Sequence, residues 1–142
     1  MLRKVKISDS PALANLMVQL GYPTTEEEMR YRIENIMKDT HYETIVAEID
    51  YKVVGMVGLY KGLFYEKNEV SIRIVAFVVD QNYRNMGLGK QLLEVAENWA
   101  LENGAFEIGL NSGKRKEREM AHQFYKGLGF IDSSIGFVKH FK

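Results

Sequence analysis

Hydrophobic positions divide the chain into strand-like and helix-like stretches. Residues 74–79 form an uninterrupted apolar run rich in β-branched side chains, which predicts a strand buried on both faces. After a polar turn that contains Gly87 and Gly89, apolar residues recur at helical spacing along one stripe. The stripe consists of Leu88, Leu92, Val95, Ala96 and Trp99. The pattern therefore predicts a strand and a helix joined by a glycine-containing turn.

Two helices are predicted on the N-terminal side of this unit. Residues 8–11 combine capping side chains with a proline in the first turn, and Gly21 is a natural end for the apolar stripe that follows. Thr25 begins a capping box, with acidic residues in the first turn of the second helix. Further strand-like patterns occupy residues 2–7, 42–49, 53–64 and 70–80.

In the C-terminal third, the pattern of apolar residues predicts a strand at 106–110, a helix that carries Ala121 to Leu128, and one or two closing strands within 130–142. The order is then a strand, two helices, three strands, a helix, a strand, a helix and the closing strands. We expect one α/β domain over residues 1–142, with a mixed sheet of six to seven strands and about four helices on its faces.

Composition narrows the class of protein. The chain has 142 residues, 46% of them hydrophobic, and no cysteine, which excludes disulfides, thiolate metal sites and a cysteine nucleophile. The formal net charge is +0, so nothing indicates a nucleic-acid or membrane-surface partner. No apolar run is long enough for a membrane span, and the N-terminal residues lack the apolar core of a signal peptide, which favours a cytoplasmic protein. The three histidines show no ligand spacing, so no metal site is predicted.

The turn at residues 84–89 carries the candidate chemistry. A strand, two glycines and the unpaired amides of a helix N-terminus form a site for phosphate or pyrophosphate. A nucleotide-binding P-loop fits poorly, because Gln91 follows Lys90 where serine or threonine is required. The dinucleotide fingerprint fails as well, because its third glycine is replaced by Leu92. From these residues alone, a glycine turn that only joins strand to helix remains the alternative.

A second motif makes the site more specific. Arg84-x-x-Gly87-x-Gly89 is followed about 35 residues later by Ala-x-x-Phe-Tyr-x-x-x-Gly-Phe, at residues 121–130. The pair resembles the two signatures of the GNAT superfamily of N-acetyltransferases, and the order of elements resembles the GNAT fold along nearly the whole chain. The resemblance implies acetyl-coenzyme A as cosubstrate and direct acetyl transfer to a primary amine in a ternary complex. It favours a small-molecule acceptor over a peptide or protein and allows a homodimer.

The resemblance also implies roles for individual residues. The backbone near Phe77 and Val79 would pair with the pantetheine arm, an N–H near Val79 would polarise the thioester carbonyl, and Asn111 would face the gap beside the next strand. Tyr125 would protonate the leaving thiolate, because the usual pKa of a phenol, about 10, is close to that of a thiol. The pyrophosphate would be held by Arg84, Asn85, Met86, Gly87, Leu88, Gly89 and Lys90.

Three questions stay open at the level of sequence. Arg73 stands where several family members have a glutamate and cannot act as a general base at neutral pH. Glu66 or Glu69 could act as the base directly or through water, but the ordinary interpretation of both is a solvated surface charge. A basic cluster at 114–118 could attract the 3′-phosphate of coenzyme A or be a solvated loop. The alternative function is a non-catalytic acyl-coenzyme A-binding regulatory module on the same fold.

Overall fold

The computed structural model describes residues 1–112 and 118–141. Two short 3-10 turns, Ile7–Asp9 and Gln81–Tyr83, accompany the regular elements. In chain order these are β1 (Leu2–Lys4), α1 (Ser10–Leu20), α2 (Glu26–Lys38), β2 (Tyr42–Ile49), β3 (Lys52–Leu63), β4 (Val70–Val79), α3 (Leu88–Glu102), β5 (Ile108–Leu110) and α4 (Glu119–Gly127).

The strands form one mixed sheet in the order β1-β2-β3-β4-β5. The first three pairings are antiparallel, and α3 connects β4 to its neighbour β5. Among the described residues, the α/β class and the four helices are confirmed, but the prediction of six to seven strands is wrong: the sheet that these residues form has five. Residues 130–141 contain no strand, because their backbone pairs with no strand of the described sheet and the apolar side chains after Phe130 cover no core. These side chains, all exposed, are Ile131, Ile135, Phe137, Val138 and Phe141.

The described residues fall into two compact units, Met1–Gly109 and Leu110–Lys142. The first unit contains helices α1 to α3 and strands β1 to β4, and the second contains α4. In the first unit, α1 and α2 pack on one sheet face, where Leu13 and Leu16 are fully buried. On the other face, Ala100 of α3 packs with Ile72 of β4.

Strand β4 contains a bulge at its centre. Gly58 of β3 is opposite Ala76, but the next residue of β3, Leu59, is opposite Ile74, so Val75 is an extra residue without a partner in the register. Val75 is 53% exposed. A bulge adds one residue to one strand of a pair, increases the local twist and redirects the side chains on either side of it.

The bulge reverses which side chains of β4 lie on which face of the sheet. Before it, Val70 and Ile72 pack on the side of α3, whereas after it Ala76 and Val78 pack with the core under α1 and α2. The predicted burial of residues 74–79 on both faces is therefore wrong. Val75 is exposed by the bulge, and the residues after it are half-buried, apart from Val78.

A partly buried ion pair links the N-terminal strand to the first helical turn. Arg3 donates from Nη1 and Nη2 to the two carboxylate oxygens of Asp9, each at 2.9 Å, and from Nε to Glu48 Oε1 at 2.9 Å. The Lys6 N–H donates to Asp9 Oδ2 at 2.8 Å. Burial by itself raises the pKa of Asp9, but the hydrogen bonds from Arg3 and Lys6 outweigh it, so the pKa is lowered.

We expect Asp9→Asn to lower the free energy of unfolding by about 2 kcal/mol at pH 7, because Arg3 loses a charged partner. Since the pKa of Asp9 is lowered by folding, its contribution is present above the unfolded value of about 3.9 and is lost as the pH falls through the folded value. Urea unfolding between pH 7 and pH 3 measures both effects. Asp39→Asn, at an exposed carboxylate, should leave the urea midpoint almost unchanged. Equal losses in the two variants would contradict a special role for the Asp9 pair.

Candidate functional site

A buried aspartate fixes the turn that follows β4. Asp80 is 3% exposed, its N–H donates to Val54 O at 2.7 Å, and its Oδ1 accepts from Asn82 N–H at 2.9 Å. Gln19 of α1 holds the same turn from the other side: it donates to Asp80 Oδ2 at 3.3 Å and accepts from Gln81 N–H at 2.9 Å. The entry to the glycine loop is therefore anchored to both the sheet and α1.

The loop itself turns through left-handed backbone conformations. Asn85 has a φ of 64° and Gly87 a φ of 83°. A Cβ atom on Gly87 would meet nothing within 4 Å, so glycine is required there by the backbone angle and not by space. Met86 is 57% exposed, whereas Leu88 is buried and anchors the start of α3 in the core. The loop therefore presents backbone to solvent directly before a rigid helix.

The N-terminus of α3 carries a partial positive charge that no acidic side chain in its first turn balances. The Gln91 N–H donates to Gly87 O at 3.1 Å, and the amides of Leu88, Gly89 and Lys90 precede this first helical bond. The first turn contains no acidic residue and the N-cap makes no side-chain bond, whereas the first turn of α2 has three glutamates and a bond from Glu28 N–H to Thr25 Oγ1. An anion at this end would complement the amides, the dipole and the exposed Lys90. The residues present fit a pyrophosphate.

Arg84 is held against the end of the strand. Its Nε donates to Val79 O at 3.2 Å. The guanidinium thus stabilises the loop and keeps further donors for a ligand. A direct contact between Arg84 and a phosphate stays a prediction.

Strand β4, which precedes the loop, is much longer than its neighbour β5. Phe77 is opposite Val57 and Val79 is opposite Gly55, so the register pairs this half of β4 with β3. On the other side, β5 has three residues against ten in β4, so the sheet pairs only part of that side. Pairing of the Phe77 and Val79 backbone with an extended ligand stays a prediction.

Tyr125 belongs to the second unit, where the late signature forms the end of α4. The Phe130 N–H donates to Tyr125 O at 3.0 Å and the Gly129 N–H donates to Lys126 O at 3.1 Å, with a φ of 94° at Gly129. This pair of bonds is a Schellman motif, which usually brings together the side chains that here are Tyr125 and Phe130. Their ring centroids lie 5.9 Å apart at an interplanar angle of 64°. The spacing Tyr-x-x-x-Gly-Phe is thus the spacing of this motif, in which the glycine takes the left-handed position and the phenylalanine contacts the tyrosine.

The environment of Tyr125 keeps its phenol protonated. The residue is 8% exposed and contacts Phe124 edge-on, with ring centroids 5.8 Å apart. Burial raises the pKa of the Tyr125 phenol, and the Arg118 guanidinium acts in the opposite direction. A phenol with a raised pKa is a proton donor at neutral pH, as the predicted role requires.

The remaining predicted residues are placed as follows. Asn111 directly follows β5 and is exposed. Glu66 and Glu69 are exposed and lie outside the strands, before β4. Of the basic cluster, residues 114–116 lie outside the described residues. Within residues 1–112 and 118–141, no group of His, Asp and Glu side chains could hold a metal ion, and no helix is long and apolar enough to cross a membrane.

Sequence reasoning missed two residues that position the site, Asp80 and Gln19. An aspartate directly after a buried strand is a common cap for the turn that follows, and this signal was available. The contribution of Gln19 comes from α1, which is distant in sequence, so no local pattern could have indicated it.

Together, the fold and the loop at the start of α3 define the class of protein to which the chain belongs. The chain belongs to the acetyltransferase (GNAT) family, whose family model matches residues 11–130. This membership confirms both the predicted resemblance and the predicted enzyme class, an acyltransferase acting as an N-acetyltransferase. The family generally uses acetyl-coenzyme A as cosubstrate.

Individual relatives agree with this assignment. A GNAT family acetyltransferase from Staphylococcus aureus is 31% identical, with a TM-score of 0.84, and the match covers 99% of this chain and 97% of that one. Glucosamine-6-phosphate N-acetyltransferase from Arabidopsis thaliana is 25% identical, with a TM-score of 0.84 and coverage of 100% and 98%. Human N-acetyltransferase 8 is 30% identical over 92 residues, which are 65% of this chain but only 40% of the human protein.

Proposed function

We propose that this protein is an acetyl-coenzyme A-dependent N-acetyltransferase that acts on a small-molecule primary amine. The observation that carries the proposal is the start of α3, where amides without helical acceptors follow a left-handed glycine and no acidic residue balances them. In a chain of the GNAT family, this loop is the expected place for the cosubstrate's pyrophosphate. Residues 84–90 would hold it, with the buried Leu88 as their anchor.

Acetyl-coenzyme A supplies an activated acetyl thioester when bound. In the proposed reaction, the nitrogen of a neutral amine attacks the carbonyl carbon, a C–N bond forms, and the C–S bond breaks. The nitrogen loses one proton and the leaving thiolate gains one. Transfer is direct in a ternary complex, and the absence of cysteine from the chain agrees with this.

The chain's own residues would contribute a proton and a dipole. Tyr125 is the proposed proton donor, since burial keeps its phenol protonated. A backbone N–H near Val79 would stabilise the negative charge that develops on the carbonyl oxygen. No described carboxylate is proposed as a dedicated base, because Glu66 and Glu69 are exposed outside the strand.

The preference for a small-molecule acceptor has support among the relatives. The Arabidopsis protein, named as a glucosamine-6-phosphate N-acetyltransferase, matches this chain over nearly the full length of both. The identity of the acceptor is tested by screening amines for transfer.

The first experiment compares thermal unfolding with and without acetyl-coenzyme A, with Mg-ATP as control. At about 100 times its Kd, acetyl-coenzyme A should stabilise the protein by roughly 2.7 kcal/mol, which raises the Tm by several degrees. Release of free thiol in the presence of an amine panel then measures transfer. No stabilisation by saturating acetyl-coenzyme A would refute the cosubstrate site. Stabilisation without transfer to any amine would favour the regulatory module instead.

A further inference from the structure

A row of polar side chains crosses the sheet on the face that α1 and α2 cover elsewhere. Tyr42 is opposite Tyr60 in β2 and β3, and Tyr60 is opposite Arg73 in β4. Residues directly opposite each other in an antiparallel pair share a face. Met56 belongs to the core under α1 and α2, and Tyr60 lies four residues further along the same strand, on the same face. The row therefore lies on the side away from α3.

The two tyrosines of this row contact each other, and the Tyr60 ring covers a glycine of β3. The rings of Tyr42 and Tyr60 are 4.9 Å apart at an interplanar angle of 53°. A Cβ atom on Gly62 would lie 3.1 Å from Tyr60 Cε2, so the tyrosine ring covers that glycine. On the other side of Tyr60 along β3, Gly58 also has no side chain. We call the row formed by Tyr42, Tyr60 and Arg73 the platform.

Arg73 is the charged member of the platform. Within residues 1–112 and 118–141, its guanidinium makes no hydrogen bond or ion pair, although the residue is half-buried. Its Nη1 would lie 3.7 Å from a Cβ atom on Gly109, so the guanidinium reaches towards β5, where the absence of a side chain leaves room for it. By contrast, Arg3 binds two carboxylates and Arg32 binds Glu28.

A half-buried guanidinium with unused donors is suited to an anion. Its planar donors match a carboxylate or phosphate, and removing it partly from water without a partner is unfavourable. This anion differs from the one expected at α3. Arg73 lies six residues before Val79, which is on the order of 20 Å along an extended strand, and its side chain is on the face opposite α3.

We propose that the platform selects amine acceptors that carry their own anionic group, with Arg73 as the specificity-determining residue. The proposal rests on the proposed function and names the substrate class for that site: a small primary amine with a carboxylate or a phosphate. Arg73 binds the anion, and the rings of Tyr42 and Tyr60 contact the body of the molecule. Arg73 thus serves substrate choice and not proton removal.

Binding is measured first, by calorimetry on the full chain with coenzyme A present, so that no turnover occurs. The probes are pairs that differ only in the anion: glucosamine 6-phosphate with glucosamine, phosphoethanolamine with ethanolamine, and glycine and β-alanine with their amides. At least one anionic member should bind more tightly than its neutral partner. Arg73→Gln should weaken that binding by about 10- to 100-fold and leave the neutral partner unchanged. Arg73→Lys should restore part of it.

The matched control is Lys61→Gln. Lys61 is next to Tyr60 on β3, but it donates to Asn103 Oδ1 at 3.2 Å and is opposite Ile72, on the face of α3. Its loss removes one positive charge without touching the platform, so discrimination between paired amines should be unchanged. Discrimination that survives Arg73→Gln, or is lost equally in Lys61→Gln, would overturn the proposal, as would equal binding of both members in every pair. If only the phosphate-bearing amines lose affinity in Arg73→Gln, the acceptor carries a phosphate, and if only glycine and β-alanine lose affinity, it carries a carboxylate.

Transfer assays separate this proposal from the proposed function. In the wild type, the ratio of kcat/KM for an anionic amine to that for its neutral partner should exceed the ratio in Arg73→Gln by about 10- to 100-fold, a change that a merely structural role would not produce. Transfer to neutral amines with no effect of Arg73 on this ratio would refute the platform and leave the proposed function standing. Absence of transfer and of stabilisation by acetyl-coenzyme A would refute the proposed function, whatever the calorimetry shows.

Discussion

Replacing Tyr125 with phenylalanine is expected to lower kcat for acetyl transfer by about 100-fold or more, while the Kd for acetyl-coenzyme A is unchanged. The substitution removes the proposed proton donor and keeps the ring that packs edge-on against Phe124 and Phe130. Steady-state kinetics measures kcat, and the ligand-induced shift in Tm measures binding. An unchanged kcat would exclude Tyr125 from the chemistry.

The pH dependence of kcat gives a second test of the same role. Because burial raises the pKa of Tyr125, the phenol stays protonated until the pH exceeds the usual value of about 10. Any loss of kcat through deprotonation of Tyr125 should therefore appear only above about pH 10. The control is Tyr51→Phe, at a side chain that is 99% exposed, which should leave both kcat and the Tm unchanged.

The second large effect is expected at Gly87, where alanine should weaken the binding of acetyl-coenzyme A by about 10- to 100-fold. A Cβ atom there meets nothing within 4 Å, so the substitution does not crowd the loop. It disfavours the φ of 83°, at roughly 1–2 kcal/mol, and a relaxed backbone would no longer direct the amides of the loop to one point. Titration calorimetry with acetyl-coenzyme A measures the change.

Gly104 provides a closely matched control at the other end of the same helix. It has a φ of 82° and equally empty surroundings, but it follows the last turn of α3. Gly104→Ala should reduce the Tm about as much as Gly87→Ala while leaving the affinity for acetyl-coenzyme A intact. If the two variants weaken binding equally, the effect comes from a destabilised helix, and the loop is not the binding site.

Local signals in the sequence account for most of the helices and for the glycine loop. Thr25 predicts the start of α2, and the structure places its Oγ1 as acceptor for Glu28 N–H. Gly87 and Gly89 predict a tight turn before α3, and the structure gives Gly87 its left-handed angle. Such features depend on a few neighbouring residues, so the sequence alone contains the information that they need.

Features that depend on distant partners were not predictable in the same way. The C-terminal stretch has β-branched and aromatic residues, which suggested strands, but a strand also needs a neighbouring strand to pair with, and the described sheet supplies none for these residues. Gln19 supports the turn after β4 from a helix about sixty residues earlier. Arg73 could be identified as unfit for a base, whereas its place in one row with Tyr60 and Tyr42 became visible only with the register of the sheet.

The bulge at Val75 has a consequence for comparing this chain with other members of its family. Counting back from Gly87 to find an equivalent residue passes through the bulge, and each residue gained or lost there moves every earlier side chain of β4 to the opposite face. An ungapped alignment can therefore match Arg73 to a residue on the opposite face of the sheet in a relative whose strand is regular. The position equivalent to Arg73 in a relative is therefore the one opposite the counterpart of Tyr60 on the neighbouring strand, and not the one at the same distance along the chain.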